Sequence, residues 1–385
     1  MLRQALTQMR GEAVKKTCGY MHGRRPQNGL TILQSFPVPR STTNPYLVML
    51  QRALQAEPGT EVLNFTWRTA LLGAYDVFHV HWPEILVNGH SPVKKLVRQI
   101  LTLALLFRLR LTRTPIVRTV HNIESPQGIT KREKVLLSLI ERETASRIRL
   151  NATTKLPEGR TATIPHGDYR SWFAQFPKSP VIEGRIAYVG LIRRYKGVER
   201  LIEAFRGTQG LAEGLSLSVG GHPSTPELGR HVGQLALSDP RISLDLAFLS
   251  DEELVKAVTA AELVVLPYRF MHNSGGVLMA LSLNRPVLVP LNKVNRMLSE
   301  EVGPGWVFTY LGDLKASDLL STLRQIKMNA PRPEPCFAGR EWAETAREHG
   351  RAYRAAVEAK RQGTNKLGTS SIPPAATFGE EAAAS

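Results

Sequence analysis

Short apolar segments alternate with amphipathic segments along most of this chain. In the first half, each apolar segment has the length of a buried strand, and a helical stretch around Leu47 to Ala53 separates the first two. The apolar segments are TILQSF, EVLNF, DVFHVH and PIVRTVH. This alternation of short strands with helices predicts a parallel α/β domain.

The same alternation starts again near residue 185, after an interruption rich in aromatic residues, proline and glycine. Residues 171–184, SWFAQFPKSPVIEG, form this interruption and are the predicted linker. Beyond it, strands alternate with predicted helices that include one from about 196, one over 226–236 and one over 275–283. The fold class predicted is therefore α/β, with two consecutive doubly wound, Rossmann-like domains.

The two ends of the chain differ in composition from these domains. The first residues are basic without a clear period and are expected to form a mobile leader, whereas the last, rich in Ser, Pro and Ala, are expected to be disordered. A last helix is expected to pack back across both domains. The predicted parts are 1–28 (leader), 29–170 (N-terminal domain), 171–184 (linker), 185–336 (C-terminal domain), 337–360 (last helix) and 361–385 (tail).

The turn between the first strand and first helix of the C-terminal domain concentrates positive charge. In RIAYVGLIRRYKGVERLIEAF, residues 185–205, Gly190 ends the strand and permits close approach to the backbone. Arg193, Arg194 and Lys196 then precede a helix whose first amides are free. These features predict an anion site, with phosphate as the expected anion. A solvated basic turn beside an amphipathic helix is the alternative.

A second turn in the same domain has a related design. In LVVLPYRFMHNSGGVLMALSLNRPVLVP the strand ends near Pro267, and Asn273 or Ser274 can cap the helix that follows. Gly275 and Gly276 leave the first helix amides uncovered. Because both turns follow the carboxyl ends of strands, they are expected to face one crevice, which suits a diphosphate.

These motifs together resemble the donor-binding half of GT-B glycosyltransferases of the family 4 type. The resemblance runs over 186–290 and rests on YVGLIRRYKGVERLIEAF, VGGHP, FLSDEELVKAVTAAELVVLPYR and SGGVLMALSLNRPVLVP, with weaker support from DVFHVHWPE, PIVRTVHN and IPHGDY. It implies a GT-B fold, with an acceptor-side N-terminal domain and a nucleotide-sugar-binding C-terminal domain around a central cleft. It also implies that Gly190 and Lys196 hold the donor diphosphate.

The chain departs from the family pattern at three positions. Leu191 stands where the family often has arginine, so Arg193 is expected to substitute for it. The paired glutamates of the family fall on Met271 and Met279, and a thioether cannot replace the carboxylate that binds the donor ribose. The Ser-Gly entry to this helix resembles bacterial exopolysaccharide mannosyltransferase relatives, which implies a hexose donor such as GDP-mannose. A lipid-linked glycan acceptor is expected because it would explain the basic, apolar segment 91–113.

Histidine and acidic residues follow two strands of the N-terminal domain. His79 and His81 share one face of a strand that leads into Trp82 and Glu84, and His121 ends another strand. For an inverting reaction the candidate bases are Glu124, Glu84 and His121, in that order. For a retaining reaction the resemblance implies that His121 contacts the donor sugar.

Other interpretations of these histidines stay open. They could be structural histidines near a domain interface, or His79, His81 and His121 could bind zinc. Together with His81 and Trp82, His166 in IPHGDY is assigned to the acceptor side, although Gly167 beside it suits a structural turn. No metal and no other cofactor are expected, because cations and amides can stabilise the leaving diphosphate and the nucleotide sugar is a substrate.

The charge of the chain predicts a second partner, an anionic membrane surface. The net charge is +17 with a pI near 10.1, and the segment 91–113 combines six cations with Leu and Ile and has no acid. This segment predicts a helix on an anionic membrane surface, with a buried helix that has a basic rim as the alternative. The apolar run Ile100 to Phe107 is too short to span a bilayer.

Composition also bears on location and on competing functions. No secretory signal is visible and the two cysteines have no metal-ligand spacing, so a cytoplasmic protein, peripheral on the inner face of the plasma membrane, is expected. A nucleic-acid binder is the weaker alternative, since no nucleic-acid module accompanies the charge. A GT-B-shaped nucleotide-sugar epimerase or hydrolase is a further alternative.

Overall fold

Two parallel sheets of six strands each form the centre of the structure, a computed structural model that describes residues 29–121, 128–269, 271–329 and 333–363. The strand order is β2-β1-β3-β4-β5-β6 in the N-terminal sheet and β12-β11-β10-β7-β8-β9 in the C-terminal sheet. All strand pairs within both sheets are parallel. The predicted α/β class with two doubly wound domains is therefore confirmed.

The N-terminal domain alternates strands and helices as the apolar pattern predicted. Its strands are β1 (Leu30–Gln34), β2 (Thr60–Leu63), β3 (Val77–Val80), β4 (Ile116–Val120), β5 (Thr144–Arg149) and β6 (Thr161–Thr163). Its helices are α1 (Pro45–Ala56), α2 (Trp67–Leu72), α3 (Glu84–Val87), α4 (Pro92–Leu111) and α5 (Lys131–Glu143), and the short α6 (Arg170–Phe173) follows β6. The segment 91–113 thus holds the predicted long helix.

The C-terminal domain repeats this alternation. Its strands are β7 (Arg185–Val189), β8 (Ser216–Gly220), β9 (Ile242–Asp245), β10 (Leu263–Val265), β11 (Val287–Pro290) and β12 (Val307–Tyr310). Its helices are α7 (Val198–Arg206), α8 (Pro226–Ala236), α9 (Asp251–Ala260), α10 (Gly275–Ser282), α11 (Lys293–Val302) and α12 (Ala316–Met328). The last helix is α13 (Trp342–Arg361), close to the predicted range.

The start of α7 lies two residues beyond the expected position. Residues Arg194–Lys196 form a turn of 3₁₀ helix, and Gly197 then takes a left-handed conformation with φ of 66°. A β-carbon at Gly197 would lie 2.5 Å from the carbonyl oxygen of Pro267. Glycine is therefore required here, and it lets the β7–α7 turn approach the end of β10.

In each sheet, the direction in which successive strands are added changes at one place. In the N-terminal sheet this switch lies between β1 and β3, and in the C-terminal sheet between β7 and β10. Ligands of open α/β sheets bind beyond the carboxyl ends of the strands at such a switch. The segments placed there are the ones that follow Gln34, Val80, Val189 and Val265.

The helix α13 returns the chain from the C-terminal domain to the N-terminal one. Ala346, Tyr353 and Ala356 are fully buried in the core that contains Ile32, Leu50 and other residues of β1 and α1. Before it, the guanidinium of Arg340 forms an ion pair with Glu301 and donates to the carbonyl of His166 at 2.8 Å. The two domains are thereby joined a second time, beside the cleft.

Residues 171–184 lie along the C-terminal domain. The indole of Trp172 donates to Asp251 at 3.0 Å, Phe173 is buried in the C-terminal core, and the amide of Ile182 donates to the carbonyl of Ala260 at 2.9 Å. The predicted domain boundaries stay predictions. The predicted leader and most of the predicted tail, residues 364–385, lie outside the described residues.

Candidate functional site

The β7–α7 turn places an ammonium group directly over backbone. Gly190 has φ of 131°, and the Nζ of Lys196 lies 3.7 Å from the position that a β-carbon on Gly190 would take. Behind it, a β-carbon on Gly221 would lie 2.0 Å from the carbonyl oxygen of Gly190. The two glycines let β7, β8 and the lysine approach one another at the strand ends, so a ligand can reach the backbone there.

Lys196 lies in a desolvated position. Its Nζ lies 5.1 Å from the ring centroid of Tyr268, and its pKa is lowered to about 8 by burial first and by the nearby Arg193 second. Within the residues that the structure describes, neither cation forms a salt bridge with an acidic side chain. A half-buried ammonium beside a second cation is stabilised by a bound anion.

The second turn lies against the first. The amide of Arg269 donates to the carbonyl of Tyr195 at 2.8 Å, which couples the β10–α10 loop to the β7–α7 turn. Ser274 caps α10, because its hydroxyl accepts from the amide of Val277 at 3.2 Å. A β-carbon on Gly276 would lie 3.2 Å from the hydroxyl of Tyr268, the ring next to Lys196. The structure therefore brings the two predicted anion-binding turns together, with Gly275 and Gly276 at the start of α10.

Asn273 has a different role from the expected cap. Its side-chain amide donates to the carbonyl of His121 at 3.2 Å and accepts from Asn151 at 2.6 Å. The neighbouring His272 contacts the hydroxyl of Thr154 at 2.6 Å. This loop therefore bonds to the N-terminal domain on the opposite side of the cleft.

The N-terminal side of the cleft is a group of imidazole and aromatic rings. Trp82 stacks on His121 with centroids 4.2 Å apart and an interplanar angle of 16°, and the ring nitrogens of His81 and His121 lie 3.1 Å apart. His166 donates to the carbonyl of Gly167 at 2.7 Å and lies 4.5 Å from the ring of Tyr46. The structure thus brings together the predicted residues His81, Trp82, His121 and His166.

These imidazoles are neutral at ordinary pH. Burial lowers the pKa of His121 to about 3, with His166 and Arg118 as further causes, and burial lowers the pKa of His166 to about 4. The pKa values of His79 and His81 are also held well below the usual range by burial. The imidazoles on this side of the cleft therefore carry no positive charge at ordinary pH.

The zinc interpretation fails on these contacts. His79 contacts Tyr353 at 2.7 Å with Nδ1 and Thr119 at 2.8 Å with Nε2, while His81 contacts His121 and Gln34. Both ring nitrogens of both histidines are thus occupied by protein atoms. Among the described residues, no group of three or more His, Cys, Asp or Glu is arranged to hold a metal.

The candidate carboxylates are less defined. Glu84 is half-buried in the first turn of α3, two residues after Trp82. Glu124 falls outside the described residues, so its predicted role stays a prediction.

A cavity of about 220 Å³ opens between the domains beside these residues. Its wall belongs to both domains and is mostly apolar. Lining residues include Asn151, Thr153, His166, His272, Asn273, Ser274, Val277, Asn295, Met297 and Arg340. The cleft predicted from the two domains therefore contains a space next to the α10 turn.

Comparison with solved structures gives the fold. The chain matches a structure of Anabaena Alr3699/HepE in complex with UDP and glucose with a TM-score of 0.54 and 14% identity, over 88% of this chain and 100% of that one. It matches the sucrose-phosphate synthase of Thermosynechococcus elongatus with a TM-score of 0.53 and 16% identity, over 87% and 98% of the two chains. These matches show a GT-B architecture.

Comparison of sequences gives the family. No protein-family model matches this sequence. The chain is 43% identical over 324 residues to a GDP-mannose:glycolipid 4-beta-D-mannosyltransferase of Xanthomonas campestris pv. campestris, with 84% of this chain and 92% of that protein covered. The chain belongs to this family of glycosyltransferases. An alpha-D-kanosaminyltransferase of Streptomyces kanamyceticus is 30% identical over a shorter stretch, 30% of each chain.

The predicted resemblance and the predicted enzyme class are confirmed at the level of the family. The epimerase, hydrolase and nucleic-acid interpretations receive no support from these relatives. In this glycosyltransferase the parts of the site that sequence patterns did not identify are Gln34, Asn151 and Tyr268. Asn151 follows the carboxyl end of β5, the one signal that could have pointed to it.

Proposed function

We propose that this glycosyltransferase transfers mannose from GDP-mannose to a lipid-linked glycan in the synthesis of an exopolysaccharide or another cell-surface glycan. The relative from Xanthomonas, whose name specifies a GDP-mannose donor and a glycolipid acceptor, supports the substrates. The observation that carries the proposal is the half-buried ammonium of Lys196 over Gly190, beside the start of α10. This arrangement fits the diphosphate of a nucleotide sugar.

The donor diphosphate lies between the two turns of the C-terminal domain in this proposal. Lys196 and Arg193 supply positive charge, and the amides at Gly275 and Gly276 supply hydrogen-bond donors. Negative charge develops on the diphosphate as the bond to the sugar breaks, so these groups bind the transition state more strongly than the ground state. Gly190 and Gly221 keep the backbone accessible beside them.

The acceptor lies against the N-terminal side of the cleft. His81, Trp82, His121 and His166 present neutral rings there, which suit sugar hydroxyls and sugar faces better than an anion. Inversion at the sugar requires a base, and a pKa of about 3 makes His121 a weak one. The base proposed is therefore a carboxylate, Glu124 or Glu84, and His121 contacts a substrate hydroxyl.

The helix α4 is the proposed contact with the membrane. Seven of its large apolar side chains are between 48% and 72% exposed and recur at helical spacing on one face. They are Val93, Leu96, Val97, Ile100, Leu103, Phe107 and Leu111. Such a face fits the interfacial region of a bilayer, where lipid-linked acceptors lie. The location proposed is the cytoplasmic face of the plasma membrane.

The cations of this helix contribute less than their number suggests. Lys95 pairs with Glu133 at 3.0 Å, Arg110 pairs with Glu143 at 2.6 Å, and Arg98 donates to the carbonyl of Asn88 at 2.8 Å. Within the described residues no ion pair involves Lys94 or Arg113, which remain for anionic lipid. No helix among the described residues has the length and apolarity to cross a bilayer. Membrane contact through 91–113 therefore depends mainly on the apolar face.

Vesicle sedimentation tests the membrane contact. The pair Leu103→Glu and Phe107→Glu is expected to weaken binding to anionic vesicles at least about tenfold, because two exposed apolar side chains that would enter the bilayer become charged. Leu237→Glu, at an exposed apolar side chain of the other domain, is the matched control and should bind as the wild type does. Equal binding by all three proteins would contradict the proposal.

Thermal unfolding with candidate donors tests the function itself. GDP-mannose is expected to raise the Tm of the wild type more than a UDP- or ADP-sugar does, and Lys196→Ala is expected to abolish the shift. Lys256→Ala, in an exposed ion pair with Glu252, is the control. No shift with any donor would remove the donor-site proposal. Release of free sugar without an acceptor product would identify a hydrolase instead, and full activity in EDTA is expected because no metal is part of the proposal.

A further inference from the structure

A line of buried polar groups runs from the interior of the N-terminal domain to His121. Gln34, at the end of β1, is fully buried, and its carbonyl oxygen Oε1 lies 3.0 Å from Nε2 of His81. The other ring nitrogen of His81, Nδ1, lies 3.1 Å from Nε2 of His121. The amide of His81 also donates to the hydroxyl of Ser35 at 3.1 Å, which fixes the backbone at this point. Of the three residues in the line, only His121 is partly exposed.

The chemistry of these groups fixes the position of each proton. The carbonyl oxygen of Gln34 can only accept, so Nε2 of His81 must carry a proton. Because the buried His81 is neutral, its Nδ1 has a lone pair and accepts from His121. The proton of neutral His121 is therefore on Nε2, and its Nδ1 is left with a lone pair. Within the described residues, Nδ1 of His121 makes no hydrogen bond.

The nitrogen of the Gln34 amide is buried and has no hydrogen-bond partner among the described residues. The hydroxyl of Tyr353 lies 2.7 Å from Nδ1 of His79, and Nε2 of His79 lies 2.8 Å from the hydroxyl of Thr119. The orientation of the Gln34 amide therefore rests on the contact between its oxygen Oε1 and Nε2 of His81.

We propose that Gln34, acting through His81, is a positioning residue that fixes the tautomer of His121 so that Nδ1 accepts a hydrogen bond from a sugar hydroxyl. This inference rests on the proposed function for the identity of the ligand, a hydroxyl of the transferred sugar or of the acceptor glycan. It assigns no proton transfer to His121. Stacking on Trp82 holds the plane of the ring, and Gln34 determines which nitrogen donates.

The opposite tautomer would reverse the preference of the site. With a proton on Nδ1, His121 would donate to phosphate or carbonyl oxygens, and a sugar hydroxyl would have to turn its own proton elsewhere. With a lone pair on Nδ1, the site selects a donor group, which a diphosphate oxygen cannot supply. The tautomer of His121 therefore favours a sugar hydroxyl over a diphosphate oxygen as its ligand.

Nitrogen-15 NMR of the full chain with labelled histidine tests the tautomer without substrate. In the wild type, His121, assigned by comparison with His121→Gln, is expected to show a protonated Nε2 and an unprotonated Nδ1. In Gln34→Met, which keeps the side-chain length and removes the acceptor, a mixture of tautomers is expected. Gln51→Met is the matched control, because Gln51 pairs with Asn64 in the same domain, and it should leave the spectrum of His121 unchanged.

A proton on Nδ1 of His121 in the wild type would overturn the proposal, and so would an unchanged tautomer in a folded Gln34→Met. If that variant fails to fold, His81→Asn provides the second test, since it breaks the same line at the next residue. Kinetics then connect the tautomer with the ligand: Gln34→Met is expected to lose about tenfold in kcat/KM, the scale of one hydrogen bond. Because the NMR readout needs no donor, it distinguishes a wrong tautomer from a wrong function.

Discussion

The two sides of the cleft differ in charge and in the origin of their residues. On the C-terminal side, Lys196 and Arg193 lie within one short turn, and Tyr268 connects Lys196 with the start of α10. On the N-terminal side, burial keeps His81, His121 and His166 neutral, and the two partners of His81, Gln34 and His121, come from distant parts of the chain. The difference indicates how the enzyme divides its substrates. In the proposed function, cations and amides face the group that leaves as an anion, and neutral rings face molecules that consist of hydroxyls.

The largest effect is expected from removing the cation on the C-terminal side. Lys196→Ala should lower kcat by about 100-fold or more, since it removes a preorganised charge from the leaving diphosphate. The KM for the acceptor should change little, because the acceptor lies on the other side. Initial rates with each substrate varied in turn provide the measurement, with Lys256→Ala as the control. A change confined to the acceptor KM would contradict the division between the two sides.

Acid is expected to act first on the N-terminal side. The pKa values of His121 and His166 are lowered in the folded state, to about 3 and about 4, so below pH 6.5 the unfolded chain binds more protons than the folded one. Stability therefore falls as the pH is lowered from about 6.5 towards 4, by up to about 1.4 kcal/mol per pH unit for each such histidine.

Denaturant unfolding between pH 7 and pH 4 measures this slope. In His121→Gln the slope should be smaller, because one titrating group is gone. A slope that is identical in the two proteins would show that His121 is charged in the folded state.

Alkali is expected to act on the C-terminal side. The pKa of Lys196 is lowered to about 8, so the free enzyme loses this charge as the pH rises through that value. Donor affinity should be constant below about pH 8 and then fall by up to about tenfold per pH unit, because the anion binds the protonated form. Titration calorimetry with the nucleoside diphosphate measures the profile. Lys196→Ala should bind weakly at every pH, and a matching pH dependence in this variant would assign the effect to another group.

The smallest effect is expected at Trp82. Trp82→Ala removes the ring that stacks on His121, and the acceptor KM should rise about fivefold, on the scale of one aromatic contact. The Tm shift with the donor should be unchanged. Trp67→Ala, in an aromatic pair with Phe65 elsewhere in this domain, is the control. A loss of donor binding in Trp82→Ala would contradict the proposed assignment of donor and acceptor to different sides of the cleft.

The same contrast explains what could be predicted from the sequence. The period of Val198, Leu201, Ile202 and Phe205 identified α7, and the glycine and lysine in the turn before it predicted the anion site that is proposed here, because all of these features are local. The N-terminal site is assembled from Gln34, His81 and His121 on three strands and is buttressed by Tyr353. No spacing rule relates such positions, so the sequence indicated histidines at strand ends but not their bonds.

The basic helix shows the same limit. Counting cations in 91–113 suggested an electrostatic surface, but the structure pairs Lys95 and Arg110 with carboxylates from another helix. Their partners, Glu133 and Glu143, lie on α5, beyond the range of any local pattern. The sequence of this helix has Leu and Ile between its cations. Only the packing of the helix could show which of these apolar side chains stay exposed.

The packing of α13 against the N-terminal domain has a consequence for the order in which the two domains fold during translation. Tyr353 and Ala356 complete a core whose members from the N-terminal domain lie between Leu30 and Ile164, far earlier in the chain. The ribosome therefore has to synthesise the C-terminal domain as well before the core of the N-terminal domain can be completed. The second domain is complete earlier in this sense, although its synthesis begins later. We expect the core of the N-terminal domain to stay incompletely folded during translation until α13 leaves the exit tunnel of the ribosome.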